Sequence, residues 1–173
     1  IGVTDPDFIA GLSFSASYRN FDFSMDWQGV FGRDVYDDWK IYSDFWDVTE
    51  QAGKNHLRGV LDAWTPQNPN SDIPALSVNN TNDERRTSTY LYSDGSYLKL
   101  RNLEIGYTIP PSITRKISMS RLRVYASASN LLTIKKWWGD NQFRGPDPEI
   151  SNYGYLIPLQ VTFGVNVSFY QSI

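Results

Sequence analysis

Toward the end of the chain, apolar and polar residues alternate without a break. Leu159, Val161, Phe163, Val165, Val167 and Phe169 take one parity; Gln160, Thr162, Gly164, Asn166 and Ser168 take the other. Successive side chains of a β-strand point to opposite faces, so this segment is a strand with one wholly apolar face and one polar or small face. The same period of two predicts four more strands. Phe8, Ala10, Leu12, Phe14, Ala16 and Tyr18 oppose Ile9, Gly11, Ser13, Ser15 and Ser17. A tight turn follows at Arg19-Asn20, with Asn suited to left-handed backbone angles. The chain returns through Phe21, Phe23, Met25, Trp27 and Phe31 opposite Asp22, Ser24, Asp26 and Gln28, completing a hairpin. In residues 96–109, Leu103, Ile105, Tyr107 and Ile109 oppose Asn102, Glu104, Gly106 and Thr108, but Leu98 and Leu100 are out of phase with them. Either a bulge near Arg101 restores the register, or Lys99 and Arg101 sit where charge is tolerated at a membrane rim. In residues 122–134, Leu122, Val124, Ala126, Ala128, Leu132 and Ile134 alternate with Arg123, Tyr125, Ser127, Ser129 and Thr133. Asn130 interrupts that apolar face and is expected near a rim or a local irregularity.

Between the strands the connections are unequal. Alternation vanishes over residues 37–92, where Pro, Asn, Asp, Ser and Thr accumulate; a short helix over 53–63 is expected there, with Leu57, Val60 and Leu61 on one side. A second long connection covers 135–157. Pro110-Pro111 ends the third strand because neither residue can donate to a ladder. In an up-and-down meander the turns at Arg19-Asn20 and 110–120 share one edge, and the two long loops share the other. That asymmetry, with strands of the roughly 9–11 residues needed to cross a bilayer, is the pattern of an outer-membrane barrel. Five strands leave two unprotected edges and cannot enclose a pore. The expected fold class is therefore all-β: antiparallel up-and-down strands forming one segment of a large transmembrane β-barrel.

Composition narrows the reading without changing it. The 173 residues are 40% hydrophobic and 15% aromatic, too apolar for a disordered polyelectrolyte, yet no apolar run approaches the roughly 20 residues of a membrane helix. A barrel reconciles the two, because only alternate residues meet lipid. A net charge of −3 offers no basic field for nucleic acid, and the absence of cysteine removes disulfides and zinc–thiolate sites. The opening Ile-Gly-Val-Thr-Asp-Pro carries no export signal and reads as mid-protein.

Several ordered motifs now carry a resemblance. Asp-Gly-Ser-Tyr-Leu-Lys-Leu-Arg-Asn-Leu-Glu-Ile-Gly-Tyr-Thr-Ile-Pro at 94–110, Ser-Arg-Leu-Arg-Val-Tyr at 120–125, Ser-Asn-Leu-Leu-Thr at 129–133 and the closing strand at 158–169 resemble the C-terminal end of SusC/RagA-type TonB-dependent transporters. Asp5-Pro6-Asp7-Phe8, Trp64-Thr65-Pro66 with Asn68-Pro69, and Asp72-Ile73-Pro74 are similar to stretches of that family in the same order. The resemblance implies an outer-membrane barrel of about 22 strands around a plug, of which this chain is the C-terminal part. It implies a SusD-like surface lipoprotein as lid, TonB as energy source, and glycans or peptides as cargo. The plug domain precedes the barrel in that family and is expected to lie outside these residues, so the chain alone is not expected to transport.

The candidate residues follow from the two faces and the loops. Phe14, Phe23, Trp27, Ile105, Val124, Phe163, Val165 and Val167 are expected to face lipid; Asp22, Asp26, Gln28 and Glu104 are expected to face the lumen, wetting it and meeting the plug. Trp64, in a polar outer loop, and Trp137 and Trp138, just past a strand end, are candidate platforms for a sugar ring; packing of the loop and an interfacial aromatic girdle are the competing roles. Asp34, Asp37 and Asp38 lack the spaced ligands and turn glycine of a calcium loop, so no metal or other cofactor is assigned. His56 is the sole histidine, and with no phosphate loop or held carboxylate pair no catalytic residue is assigned and no enzyme is expected. The rival reading is a soluble β-sandwich that binds carbohydrate through the same tryptophans.

Overall fold

A computed structural model describes residues 2–44, 58–76, 86–136, 142–152 and 154–170. It divides into two compact units. The strand unit comprises Phe8–Phe31, Tyr97–Ile134 and Ile157–Ile173; the loop unit comprises Ile1–Asp7, Gly32–Ser96 and Lys135–Leu156.

The strand unit contains the five expected strands in one sheet. β1 is Phe8–Tyr18 and β2 is Phe21–Phe31. The short strands β3 (Asp34–Tyr36) and β4 (Tyr92–Asp94) belong to the loop unit, and β5 (Tyr97–Thr108), β6 (Met119–Lys135) and β7 (Gln160–Phe169) complete the large sheet. Its order is β1-β2-β5-β6-β7, so β1 and β7 are its edges. The antiparallel register places Phe14 opposite Met25, Phe23 opposite Ile105, and Val124 opposite Val165. Each apolar parity therefore joins the next into one continuous apolar face.

Between β2 and β5 the register slips by one residue: Asp26 faces Asn102, but Trp27 faces Leu100. Arg101 is the extra residue. This bulge settles the choice left open by the sequence, because it returns Leu98 and Leu100 to the face of Leu103 and Ile105 while Lys99 lies opposite Gln28. Asn130 is also an irregularity, left-handed at φ 56° inside β6. At the hairpin the left-handed residue is Arg19 (φ 55°), not Asn20 as expected. Positive φ at the first central residue alone is the sign pattern of a type II′ turn. Asn20 instead ties the turn to the next strand, donating from Nδ2 to the Thr108 carbonyl at 2.7 Å and accepting from the Thr108 amide at 2.8 Å.

The apolar face is not covered by a second sheet of the strand unit. Phe163 is 81% exposed, Val165 58%, Ile105 50% and Phe14 48%. Phe14 and Phe23 do touch, ring centroids 6.2 Å apart, but as neighbours on adjacent strands of one sheet. A sandwich would have buried these residues against a facing layer, so the geometry opposes the rival reading.

The loop unit has the structure that a pattern of period two cannot foresee. β3 pairs with β4, α1 spans Asp38–Asp44, and single 3-10 turns occupy Arg58–Asp62 and Thr89–Leu91. The expected helix over 53–63 is, in its described part, the turn at Arg58–Asp62. Val60 is buried there, but Leu61 is exposed and does not share its side, because a 3-10 turn rotates about 120° per residue. Leu57 lies outside the described residues.

Candidate functional site

On the polar face of the strand unit, charged side chains form a ladder across three strands. Arg123 of β6 donates from Nε to Asp22 Oδ2 of β2 at 3.0 Å, and from Nη2 to Asp22 Oδ1 and to Glu104 Oε1 of β5, the last at 2.7 Å. One guanidinium thus holds two carboxylates in a forked arrangement. Gly106 leaves the space this requires: a β-carbon there would collide with the Arg123 guanidinium and the Asp22 carboxylate. The Arg123 guanidinium also lies 5.1 Å from the centroid of the Tyr125 ring, and that ring covers Gly164 of β7. Nearer the loop end, Arg101 donates from Nε to Gln28 Oε1 at 2.7 Å. The bulge that restores the apolar register is what brings Arg101 to Gln28.

Asp22, Asp26, Gln28 and Glu104 therefore share the polar face, and three of them are engaged by arginines. Arg101, Arg123 and Tyr125 were missing from the expected site. Their parity in the sequence was polar, but only strand order and register show which carboxylate each one meets. Phe14, Phe23, Trp27, Ile105, Val124, Phe163, Val165 and Val167 share the opposite, apolar face.

In the loop unit, buried polar groups lash separate segments together. Asp37 is fully buried; it accepts from the Arg144 amide at 2.7 Å, the Ser93 hydroxyl at 3.1 Å and the Trp39 amide at 3.2 Å. Burial pushes its carboxyl above the ordinary 3.8 despite these donors and nearby Lys40. Lys40 donates to the Tyr90 carbonyl at 2.8 Å, and burial holds its ammonium below the usual range, with Asp37 opposing that shift. The Tyr90 hydroxyl donates to Asp44 at 2.7 Å; burial first, and that bond second, push the phenol up. Lys136 pairs with Asp94 at 2.6 Å, and Arg33 donates to the Pro148 carbonyl at 2.7 Å. These contacts leave a polar cavity of about 630 Å³ whose walls include Lys40, Asp62, Asn70, Asp72, Tyr90 and Arg144. Such a mixture of both charges and amides suits a polar ligand better than an apolar one.

The loop candidates are not brought together. Trp64 is about half exposed, its amide bonded to the Ile73 carbonyl, and it is not a wall of the cavity. Trp137, Trp138 and His56 lie outside the described residues. Asp34, Asp37 and Asp38 do not converge: Asp34 accepts from the Val3 amide at 3.1 Å, while Asp37 is consumed by its own three donors. Among the described residues no group of three or more His, Cys, Asp or Glu is arranged to hold a metal.

The fold and the ladder together define a class: an antiparallel sheet of the kind that builds large β-barrels, apolar on one face and charged on the other. Comparison with known proteins makes the class specific. The chain is 34% identical to TonB-dependent receptor P3 of Formosa agariphila over 155 residues, covering 88% of this chain and 14% of that protein. It is 24% identical to TonB-dependent receptor SusC of Bacteroides thetaiotaomicron over 147 residues, covering 84% of this chain and 13% of that protein. Among solved structures, the RagAB peptide importer in its open-open state matches 96% of this chain and 17% of the matched chain, with a TM-score of 0.72 and 26% identity. No family model matches the chain. The chain belongs to the SusC/RagA-type TonB-dependent transporters, as a segment spanning about one-sixth of a member's length, and its five-stranded sheet matches part of their barrel.

Proposed function

We propose that this segment is the C-terminal part of the barrel of an outer-membrane importer. The whole protein takes up glycans or peptides with a SusD-like lipoprotein as lid, and TonB drives it through the plug. In this reading the apolar face meets acyl chains, and the ladder of Asp22, Glu104 and Arg123, with Asp26 and Gln28, lines the lumen against the plug. The loop unit faces outward, where its polar cavity and Trp64 are placed to meet cargo or lid. The supporting observation is the uncovered apolar face, continuous over five strands, backed by a face on which Arg123 holds Asp22 and Glu104. An apolar face of this size exposed to water would drive aggregation. No helix of the described residues is long and apolar enough to cross a membrane, which leaves strands as the crossing elements.

The chain contains no cysteine, so an introduced cysteine is unique within these residues. Spin labels at Val165 and at Asn166, introduced into the whole transporter in liposomes, should differ: the first relaxed by lipid-soluble oxygen, the second by a water-soluble nickel chelate. Equal access of the chelate to both positions would refute lipid exposure.

A further inference from the structure

The strand-unit edge that carries the two short connections has an unusual charge pattern. Arg19, Arg115, Lys116 and Arg121 fall on it, while residues 107–121 and 165–173 hold no carboxylate at all. Asp22, the acid next along the chain, is engaged by Arg123. Arg121 lies near enough to Asp22 for its charge to act on that carboxylate, so the positive charge without a carboxylate neighbour among the described residues is that of Arg19, Arg115 and Lys116.

Local geometry sorts these cations by face. Arg19 occupies the left-handed corner of its hairpin, and its guanidinium carbon lies 5.3 Å from the centroid of the Tyr18 ring. Tyr18 belongs to the apolar face, so Arg19 stands at the end of that face. The second connection begins at Pro110-Pro111 and forms one helical turn, α2 (Pro111–Thr114), followed by a 3-10 turn over Arg115–Ile117; left-handed Ser118 (φ 57°) ends it. Thr114 is buried beneath the turn, while Ile113, Arg115, Lys116 and Ile117 are exposed. Both isoleucines of this connection are exposed, at 53% and 50%. Phe21 and Tyr107 meet in a tilted pair, ring centroids 4.7 Å apart, on the apolar face close by. Arg121 differs: it lies opposite Ser168, on the parity of Arg123, and belongs to the polar face.

We propose that this edge is a collar for acidic phospholipid. Arg19, Arg115 and Lys116 bind lipid phosphates, while Tyr18, Phe21, Ile113 and Ile117 sit beside the first acyl carbons. The proposal rests on the lipid-exposed reading of the apolar face given above and goes beyond it by assigning a headgroup charge. Two observations commit the collar to lipid. Its charge complements an anionic headgroup layer, and its apolar residues continue the face that meets acyl chains. Basic side chains interleaved with aromatic and branched apolar ones are what such a layer selects.

The test uses the whole transporter in nanodiscs of phosphatidylcholine doped with phosphatidylglycerol, with annular lipid followed by spin-labelled forms of each. The wild type should enrich phosphatidylglycerol at its boundary, and salt should weaken the enrichment. Replacing Arg19, Arg115 and Lys116 with Gln should lower the enrichment about fivefold for each charge removed. Arg121→Gln should leave it unchanged, and the charge-preserving pair Arg19→Lys and Arg115→Lys should retain it even if packing of the turn is perturbed. Unchanged enrichment in the neutral variant, equal loss in Arg121→Gln, or loss in the charge-preserving pair would overturn the collar. So would a neutral variant that keeps its phosphatidylglycerol but loses a cross-linked soluble protein. Labelled phosphatidylcholine separates the two levels: its failure to contact Val165 would defeat the barrel reading, whereas normal contact without headgroup preference defeats only the collar.

Discussion

The strand unit holds seven Lys and Arg against three Asp and Glu, and the loop unit holds nine against sixteen. Their formal charges, +4 and −7, are opposite in sign although the whole chain is only −3. The units also differ in how they order polar groups. In the strand unit, side chains pair across neighbouring strands on a face fixed by parity, as in Asp22–Arg123–Glu104. In the loop unit, buried side chains reach backbone groups far away in sequence: Asp37 to the Arg144 amide, Lys40 to the Tyr90 carbonyl, Arg33 to the Pro148 carbonyl. A sheet supplies its own backbone partners, so its side chains are left to each other. A loop has unpaired backbone, and its side chains must satisfy it.

That contrast is open to attack from several sides. The largest effect should come from charge on the apolar face: Phe163→Arg should cost about 2–4 kcal/mol near the bilayer midplane, while Thr162→Arg, one residue away on the polar face, should cost far less. Unfolding titrations of the reconstituted transporter would compare them, and equal costs would erase the distinction between faces. Next is Arg123→Ala, which strands two carboxylates. The group is mostly but not fully buried, so the loss should be about 2 kcal/mol, between the values for exposed and buried pairs. Adding Asp22→Asn and Glu104→Gln should recover most of it. Gly164→Ala should lower stability by about 1 kcal/mol by displacing the Tyr125 ring, measurable as a drop in Tm.

The smallest effects lie in the loop unit and have opposite signs with pH. Burial raises the Asp94 carboxyl, but its bonds with Lys136 and Ser96 more than offset this and hold it below 3.8. Its contribution is therefore present above 3.8 and lost as pH falls through the lower folded value. Asp37 is raised by burial, so its contribution is present below 3.8 and lost as pH climbs through the higher folded value. Hydrogen exchange, corrected for intrinsic rates, should show the Ser96 amide losing protection on acidification, and replacing the buried acid by Asp37→Asn should remove the loss of stability on neutralisation. Asp94→Asn should abolish the first trend alone, at a cost of about 1 kcal/mol for a part-buried pair.

Much of the strand unit was legible in the chain. The five long strands and the division of their residues between an apolar and a polar face followed from a period of two, because side-chain direction along a strand is a local property. The phase break near Arg101 was visible too, but only the register chose the bulge. The hairpin was found, but its left-handed residue was misassigned to Asn20, since turn type depends on how the flanking strands twist. Less of the loop unit could be read. Nothing in the run from Asp34 to Asp38 distinguished a solvent-facing acid from the fully buried Asp37, and β3, β4 and α1 are too short for periodicity to reveal.

By itself, the sequence determined where the five long strands lie and, outside the phase break near Arg101, which face each of their residues occupies, since chirality and pleat act residue by residue. Tertiary structure alone decided partnership: that Arg123 closes on Asp22 101 positions away, that Arg101 rather than a neighbour is the bulged residue, and that Asp37 gathers Ser93 and Arg144. Those choices depend on which strands lie side by side and on which distant backbone groups need a partner, and neither is encoded within the few residues that a pattern spans.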